Sequence, residues 1–387
     1  MSEEFVLKYC GIDVSKSSLV CAAIGDLDAD HKQYLPGQAR DIGIINDEPL
    51  LVKTFDNSWT GVVTMTSWLK SIGVSVAVME STGSYWCGAY DALEQTGIRP
   101  VLANPAQVKS VSVHKTDYRD SVWLSVLLRA GFIIPSYVPA GLVKELRDLT
   151  RMRARIVKDK TRLKNRCHSI LDSMLMRLGV SDVFGTAGRQ TLRRALQGDY
   201  EGLTEDQRKA FSTMSETQGM MVVDLIAEVR HLERRVASYE SAIARVVGRI
   251  EEVKGDKSFH LLTTIPGVRV VYAATILSEI GDIGRFATPE RLSSYAGMAP
   301  RVIQSGEKNT TGKTGHMCNR HLRTAMFMVA QTCIRFGPQE LRRFYETKRK
   351  KKEDYRKAVI VVARKLMGVS WKMLQDGRSF DMTYDSA

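Results

Sequence analysis

Between residues 222 and 253 apolar side chains recur in steps of three and four without a break. Val222, Val229, Val236, Ile243 and Ile250 alternate with Leu225, Leu232, Tyr239, Val246 and Val253, so all ten seam positions are apolar or aromatic. On a helix those positions form one stripe, the signature of a coiled coil, and a stripe that long needs a second long helix to cover it. Upstream, Leu142, Leu149, Ile156, Leu163 and Ile170 recur every seven residues on a segment dense in Arg and Lys. A polar insert at about 179–217, interrupted by glycines, separates the two segments. The helices can fold back on each other or pair with a second subunit. The β-branched residues at one seam position favour a dimer.

The rest of the 387-residue chain must then supply other domains, because one core of ordinary size does not extend that far. The expected division is 1–138, 139–256 and 257–387. Charge is split along the chain. Residues 1–104 hold 7 Lys/Arg and 13 Asp/Glu, while residues 105–387 hold 49 and 30, within a net +13 overall. A basic body joined to an acidic module suits a polyanionic partner and a local carboxylate cluster, with nucleic acid as the leading candidate. No apolar run is long enough for a membrane span, and the start "MSEEFVLKYCGIDVSK" lacks the basic and apolar regions of a signal peptide, so a cytoplasmic protein is expected. Six scattered cysteines without a CxxC pair point to reduced, inert thiols.

The first 135 residues read as α/β. "KYCGIDV" and "SLVCAAI" form a hairpin, "LVKTFDN" a third strand, and helices then alternate with the strands "VSVAVME" and "IRPVLA" before the apolar helix "DSVWLSVLLRAGF". That order is expected of a ribonuclease-H-like sheet, with residues 26–51 as an acidic insert. Asp13 ends the first strand and Glu80 a later buried one; Asp117 and Asp120 sit three apart at a helix start, on one face. In such a sheet these four carboxylates converge, and a cluster of that charge needs cations. Two Mg²⁺ ions on carboxylates drive much phosphoryl transfer on nucleic acids. Each acid also has a plainer reading as a turn residue or helix cap.

The last third is helical. "LLTTIPGVRVVYAATILSEIGD" resembles a helix-hairpin-helix, with Gly267 opening backbone N–H groups to a phosphate. Arg153, Lys160 and Lys164 on the basic helix, and Lys350 in the run Lys348–Lys352, are further candidate nucleic-acid contacts. So are Lys308 and Lys313 in the polar stretch "PRVIQSGEKNTTGKTGH". That stretch reads as a solvated loop or as a flexible arm delivering the hydroxyl of Ser305.

Taken together, "GIDVSK", "MESTGSYW", "KTDYRDSVWLSVLL", "IPGV", "LSSYAGMAPRVIQSGEK" and "NRHLRTAM" resemble the successive motifs of the DEDD insertion-sequence transposases of the IS-one-ten family. The resemblance implies a RuvC-like N-terminal domain, a coiled-coil linker and a C-terminal transposase domain carrying a nucleophilic serine, here Ser305. It implies Mg²⁺, with Mn²⁺ able to substitute, held by Asp13, Glu80, Asp117 and Asp120. It further implies donor and target DNA, a bridge RNA that pairs with both, and a tetramer on DNA. Arg269 and Cys318 stand where the family usually has glycine. Other classes fit the residues alone: a water-using Holliday-junction endonuclease, or a non-catalytic nucleic-acid scaffold.

Overall fold

The computed structural model describes residues 8–25, 50–108, 116–175, 182–299, 301–305, 308–312, 318–351 and 354–381. The chain divides into two compact units, Met1–Val138 and Pro139–Ala387. Residues 26–49 of the expected acidic insert lie outside the described residues. No helix among the described residues is long and apolar enough to cross a membrane.

The first unit is a five-stranded mixed sheet. Its strands are β1 (Lys8–Val14), β2 (Ser18–Ile24), β3 (Leu50–Asp56), β4 (Val74–Glu80) and β5 (Arg99–Ala103), in the order β3-β2-β1-β4-β5. β1, β2 and β3 pair antiparallel, whereas β1–β4 and β4–β5 are parallel. This is the ribonuclease-H-like order that the strand pattern predicts. Helices α1 (Trp59–Ser71) and α2 (Trp86–Gln95) cover one face through a core that includes Ile12, Met65, Leu69, Met79 and Leu93. After the single turn α3 (Pro105–Val108), helix α4 (Asp117–Arg129) covers the other face.

The second unit is nearly all helical. Helix α5 (Gly141–Ser173) spans 33 residues and α8 (Glu216–Lys254) spans 39. They lie antiparallel within the one chain. Leu146 of α5 shares a core with Ile243, Val246 and Ile250 of α8, while Cys167 and Leu171 share another with Val222, Leu225 and Val229. The seam of α8 is thus covered by the chain's own α5, the fold-back pairing that the sequence leaves open beside a dimer. Leu232 and Tyr239 are only half-buried, and Val253 is exposed. For Leu232 and Tyr239 the cause lies in α5, whose second seam row runs Leu146, Arg153, Lys160, Cys167. Two long cations in the middle of that row cannot fill a dry seam, and Arg153 instead reaches Glu240 of α8 at 2.7 Å.

The glycine-containing insert is folded as well. Helices α6 (Thr186–Leu196) and α7 (Glu205–Ser212) cap the tip of the hairpin, with Phe184, Leu192 and Phe211 packed on Cys167 and Val222 in one cluster. At the other end, α9 (Ser258–Thr263), α10 (Val270–Ile280), α11 (Pro289–Tyr295), α12 (Arg320–Phe336), α13 (Gln339–Lys351) and α14 (Tyr355–Asp376) build the main core. That core runs continuously into the ends of α5 and α8, so residues 139–256 and 257–387 share one body. Between α11 and α12, β6 (Arg301–Ser305) and β7 (Lys308–Gly312) pair antiparallel as a two-stranded ribbon. The expected loop is therefore strand up to Ser305.

Ile243 is fully buried between the two long helices. Ile243→Asp is expected to lower stability by roughly 3–5 kcal/mol, the range seen when an unpaired charge is buried. Thermal melting should register that loss, and light scattering should give the same subunit number for wild type and variant.

Candidate active site

Side chains alternate faces along a strand. Cys10, Ile12 and Val14 of β1, with Ala77 and Met79 of β4, belong to the core shared with α1 and α2. Gly11, Asp13, Val78 and Glu80 therefore take the opposite face, where Val78 packs in one cluster with Leu124 of α4. Ile12 pairs with Met79 in the parallel register, so Asp13 and Glu80 follow side by side at the strand ends.

Helix α4 completes this corner because β1 lets it come close. A Cβ on Gly11 would collide with the Ser121 carbonyl, and would stand 2.6 Å from the Ser125 nitrogen and 2.9 Å from Leu124 Cβ. Ser121 and Ser125 are fully buried. Tyr9, at the start of β1, packs in the clusters that hold Val126 and Leu128, at the end of α4. The helix thus runs opposite to β1, and its first turn, with Asp117 and Asp120, lies toward the Asp13 end. Thr116, not Asp117, caps the helix, its Oγ1 accepting from the Arg119 N–H at 3.3 Å. Both aspartates lie in a first turn whose dipole favours anions. Gly11, Ser121 and Ser125 are the residues that sequence reasoning missed; the signal was a row of small residues in "CGIDV" and "DSVWLSV".

The backbone therefore gathers all four carboxylates at one corner. Their side chains are not drawn together: among the described residues no group of three or more His, Cys, Asp or Glu is close enough to hold a metal ion. Glu80 is engaged by the Thr82 hydroxyl, which donates to Oε1 at 2.7 Å. Like charges spread apart unless a cation draws them in. Four hard carboxylate donors at the ends of rigid elements suit a divalent cation that prefers oxygen ligands.

The ribbon with Ser305 belongs to the other unit, and its root is built on a buried charge. Ser305 ends β6 and is paired in register with Lys308; Lys313 lies outside the described residues. At the root, the Asn319 N–H donates to the Tyr295 carbonyl at 2.8 Å, and Cys318 packs on Gly297. Asn319 caps α12 through the Leu322 N–H and donates from its amide to Glu279 Oε2 at 2.8 Å. Glu279, on α10, is inaccessible to solvent. Arg151 of α5 donates to both its oxygens, at 2.7 and 2.8 Å, and Arg147 stands at 3.4 Å. Burial pushes the Glu279 carboxyl up, but the Arg151 hydrogen bond, the two guanidinium charges and Asn319 together outweigh it, so it stays below the usual carboxylate range. Beside it, burial lowers the pKa of His321, with Arg151, Arg155 and Lys158 adding to the fall and Glu279 opposing it. His321 is thus mostly neutral at pH 7.

The other candidate contacts divide. Arg153 is committed to Glu240, and Lys164 sits 4.8 Å from the centroid of the Phe184 ring at the hairpin tip. Lys160 is half-buried on the seam row. The exposed basic stripe of α5 is Arg155, Lys158, Arg162 and Arg166, on the side away from the seam. Gly267, with φ +80°, presents its Cα to Thr332 of α12, where a Cβ would collide with that side chain, so its glycine is explained by packing within the unit. Arg269 is extended at φ −105°, a conformation open to any residue. Lys350 is exposed on α13.

Residues 259–346 match the family model described as "Transposase IS116/IS110/IS902 family", and residues 41–176 match a DEDD transposase model of the IS110 type. The chain is 26% identical to an insertion element IS116 protein of Streptomyces clavuligerus, over 69% of this chain and 72% of that one. It is 25% identical to the pilin gene-inverting protein of Moraxella bovis, over 85% and 90% respectively. The transposase for insertion sequence element IS1111A of Coxiella burnetii is also 25% identical, over 70% and 68%. Among solved structures, Thermus thermophilus RuvC in complex with a Holliday junction substrate covers 34% of this chain and 99% of its own, at 10% identity and a TM-score of 0.24.

Two outcomes follow from this geometry. Gly11→Ala should force α4 off the sheet, costing about 3 kcal/mol as overpacking, with a lowered melting temperature. Because the folded-state pKa of Glu279 is depressed, its contribution is present above the unfolded value and is lost as pH falls from the ordinary glutamate value of 4.5 through the lower folded one. Melting temperature should therefore drop with acidification in that range. Glu279→Gln should flatten the drop and cost about 2–3 kcal/mol at neutral pH, less than a fully buried pair because Arg151 is 36% exposed.

Proposed function

This chain belongs to the IS116/IS110/IS902 family of transposases, and on that premise we propose that it is a site-specific DNA recombinase working through a serine–DNA intermediate. The observation that carries the proposal is the placement of Asp13, Glu80, Asp117 and Asp120 at one corner of the sheet, on the ends of β1 and β4 and the first turn of α4. Those residues would hold Mg²⁺, which when bound stabilises charge developing on a scissile phosphate.

The Ser305 hydroxyl attacks phosphorus. A bond from serine Oγ to phosphorus forms as the bond to the departing strand oxygen breaks, and the serine proton ends on that strand's new hydroxyl. The number of phosphoester bonds is unchanged, so a second strand hydroxyl can reverse the step onto a new partner without an external energy source. Serine and carboxylates belong to separate units of the chain, and on this reading the ribbon delivers the serine to the scissile phosphate. A ribbon rooted at Tyr295 and Asn319 suits that delivery. On the same reading a bridge RNA pairs with donor and target DNA, leaving sequence choice to base pairing, and a tetramer completes the sites. The exposed stripe Arg155, Lys158, Arg162 and Arg166 supports contact with nucleic-acid phosphates.

The test is adduct trapping on cleavable DNA. Ser305→Ala should fold and bind DNA as wild type does, yet give neither adduct nor strand exchange. Asp13→Asn should also lose both while keeping its melting temperature, since it removes a repelling charge. Metal-dependent cutting by Ser305→Ala at the wild-type rate would replace the serine mechanism with a water-using one.

A further inference from the structure

Helices α11, α13 and α14 enclose a cavity of about 520 Å³ that neither the carboxylate corner nor the serine ribbon uses. That is within the roughly 300–1,000 Å³ of small-ligand pockets. Lys348, Arg364, Lys365 and Lys372 line it, against one carboxylate, Glu290. Glu290 is held ionised, first by the Thr288 hydrogen bond and its own backbone and in smaller part by Arg364. Lys372 has Asp376 at 3.5 Å. The wall still carries more cations than anions.

Two of these cations are pre-positioned. Lys348 of α13 and Lys365 of α14 stand 5.1 and 4.9 Å from the centroid of the Phe344 ring. An aromatic ring orients an ammonium without cancelling its charge. The other aromatic wall is Trp371, whose indole N–H donates to the Phe286 carbonyl at 2.8 Å. With that donor satisfied, the indole contributes its ring to the cavity. Gly368 on α14 keeps the space open, since a Cβ there would meet only Pro289, at 3.9 Å. A flat apolar ring beside an oriented pair of ammonium groups is the combination that binds a base and its phosphates.

We propose that this cavity holds one unpaired nucleotide of a single strand, its base against Trp371 and its flanking phosphates on Lys348, Lys365 and Arg364. Glu290 offers an acceptor to a base amino group or a sugar hydroxyl. A paired base keeps its faces inside the duplex stack and cannot enter. The proposal rests on the cavity and not on strand transfer, so it can fail while the serine mechanism stands, and the reverse.

Short oligouridylate and oligothymidylate strands carrying 5-iodouracil, irradiated with the full-length protein, provide the test. Adducts are expected on the peptide containing Trp371. An adduct with both strands, or with only one, supports the site, and the difference identifies RNA or DNA as the source. Gly368→Leu fills the cavity, leaves every charge in place and replaces a helical glycine with a better helix former. It should remove the adduct and weaken single-strand binding about tenfold, with duplex binding unchanged, in keeping with the loss of one stacked base. Absence of a Trp371 adduct with both strands, an adduct that survives Gly368→Leu, or an equal loss of duplex binding would each overturn the proposal.

Discussion

A single inaccessible carboxylate organises the C-terminal unit. Glu279 could not remain ionised in that interior alone, and its partners are gathered from several elements. Arg147 and Arg151 tie it to α5, Asn319 to the start of α12, and the Tyr295 hydroxyl, hydrogen-bonded to Asn319 at 3.0 Å, to the end of α11. The two ends of the serine ribbon leave from those last two elements. The position of Ser305 is therefore referred, through one carboxylate, to the long basic helix. A buried ion pair of this kind adds little net stability against an apolar alternative, but it permits only one geometry.

The N-terminal unit reaches its precision by a different route. Missing atoms set how closely α4 lies on the sheet. Gly11 has no side chain, and Ser121 and Ser125 have short ones, so backbone meets backbone and the first turn of α4 cannot slide without collision. In one unit charge anchors the ribbon that carries Ser305, and in the other close packing positions the carboxylate corner.

The strand order, the helix positions and the places of Asp13, Glu80, Asp117 and Asp120 at element ends were legible in the sequence because alternation and strand-end placement are local properties. Pairing of the long helices was not. The stripe on α8 is the same whether its cover comes from the same chain or another, and the deciding detail was the Arg153 and Lys160 row on α5, which reads as surface charge when scanned one helix at a time. For the same reason the exposed stripe Arg155, Lys158, Arg162 and Arg166 did not stand out beside Arg153, Lys160 and Lys164. The ribbon was read as a loop because Thr, Asn and Gly dominate its second strand, and pairing with "RVIQS" depends on a partner, not on composition. Glu279 gave no local sign, since its environment is assembled from residues more than a hundred positions apart.

The antiparallel arrangement of α5 and α8 gives the molecule an adjustable ruler. Chain entry and exit lie together at the base, while the α6–α7 cap closes the far tip with its own small core. Deleting or inserting seven residues in both helices at once preserves the phase of the seam at each end and moves the tip by about 10 Å. Relatives of this chain can therefore vary the distance between cap and serine ribbon in discrete increments, leaving the Glu279 cluster and the carboxylate corner untouched.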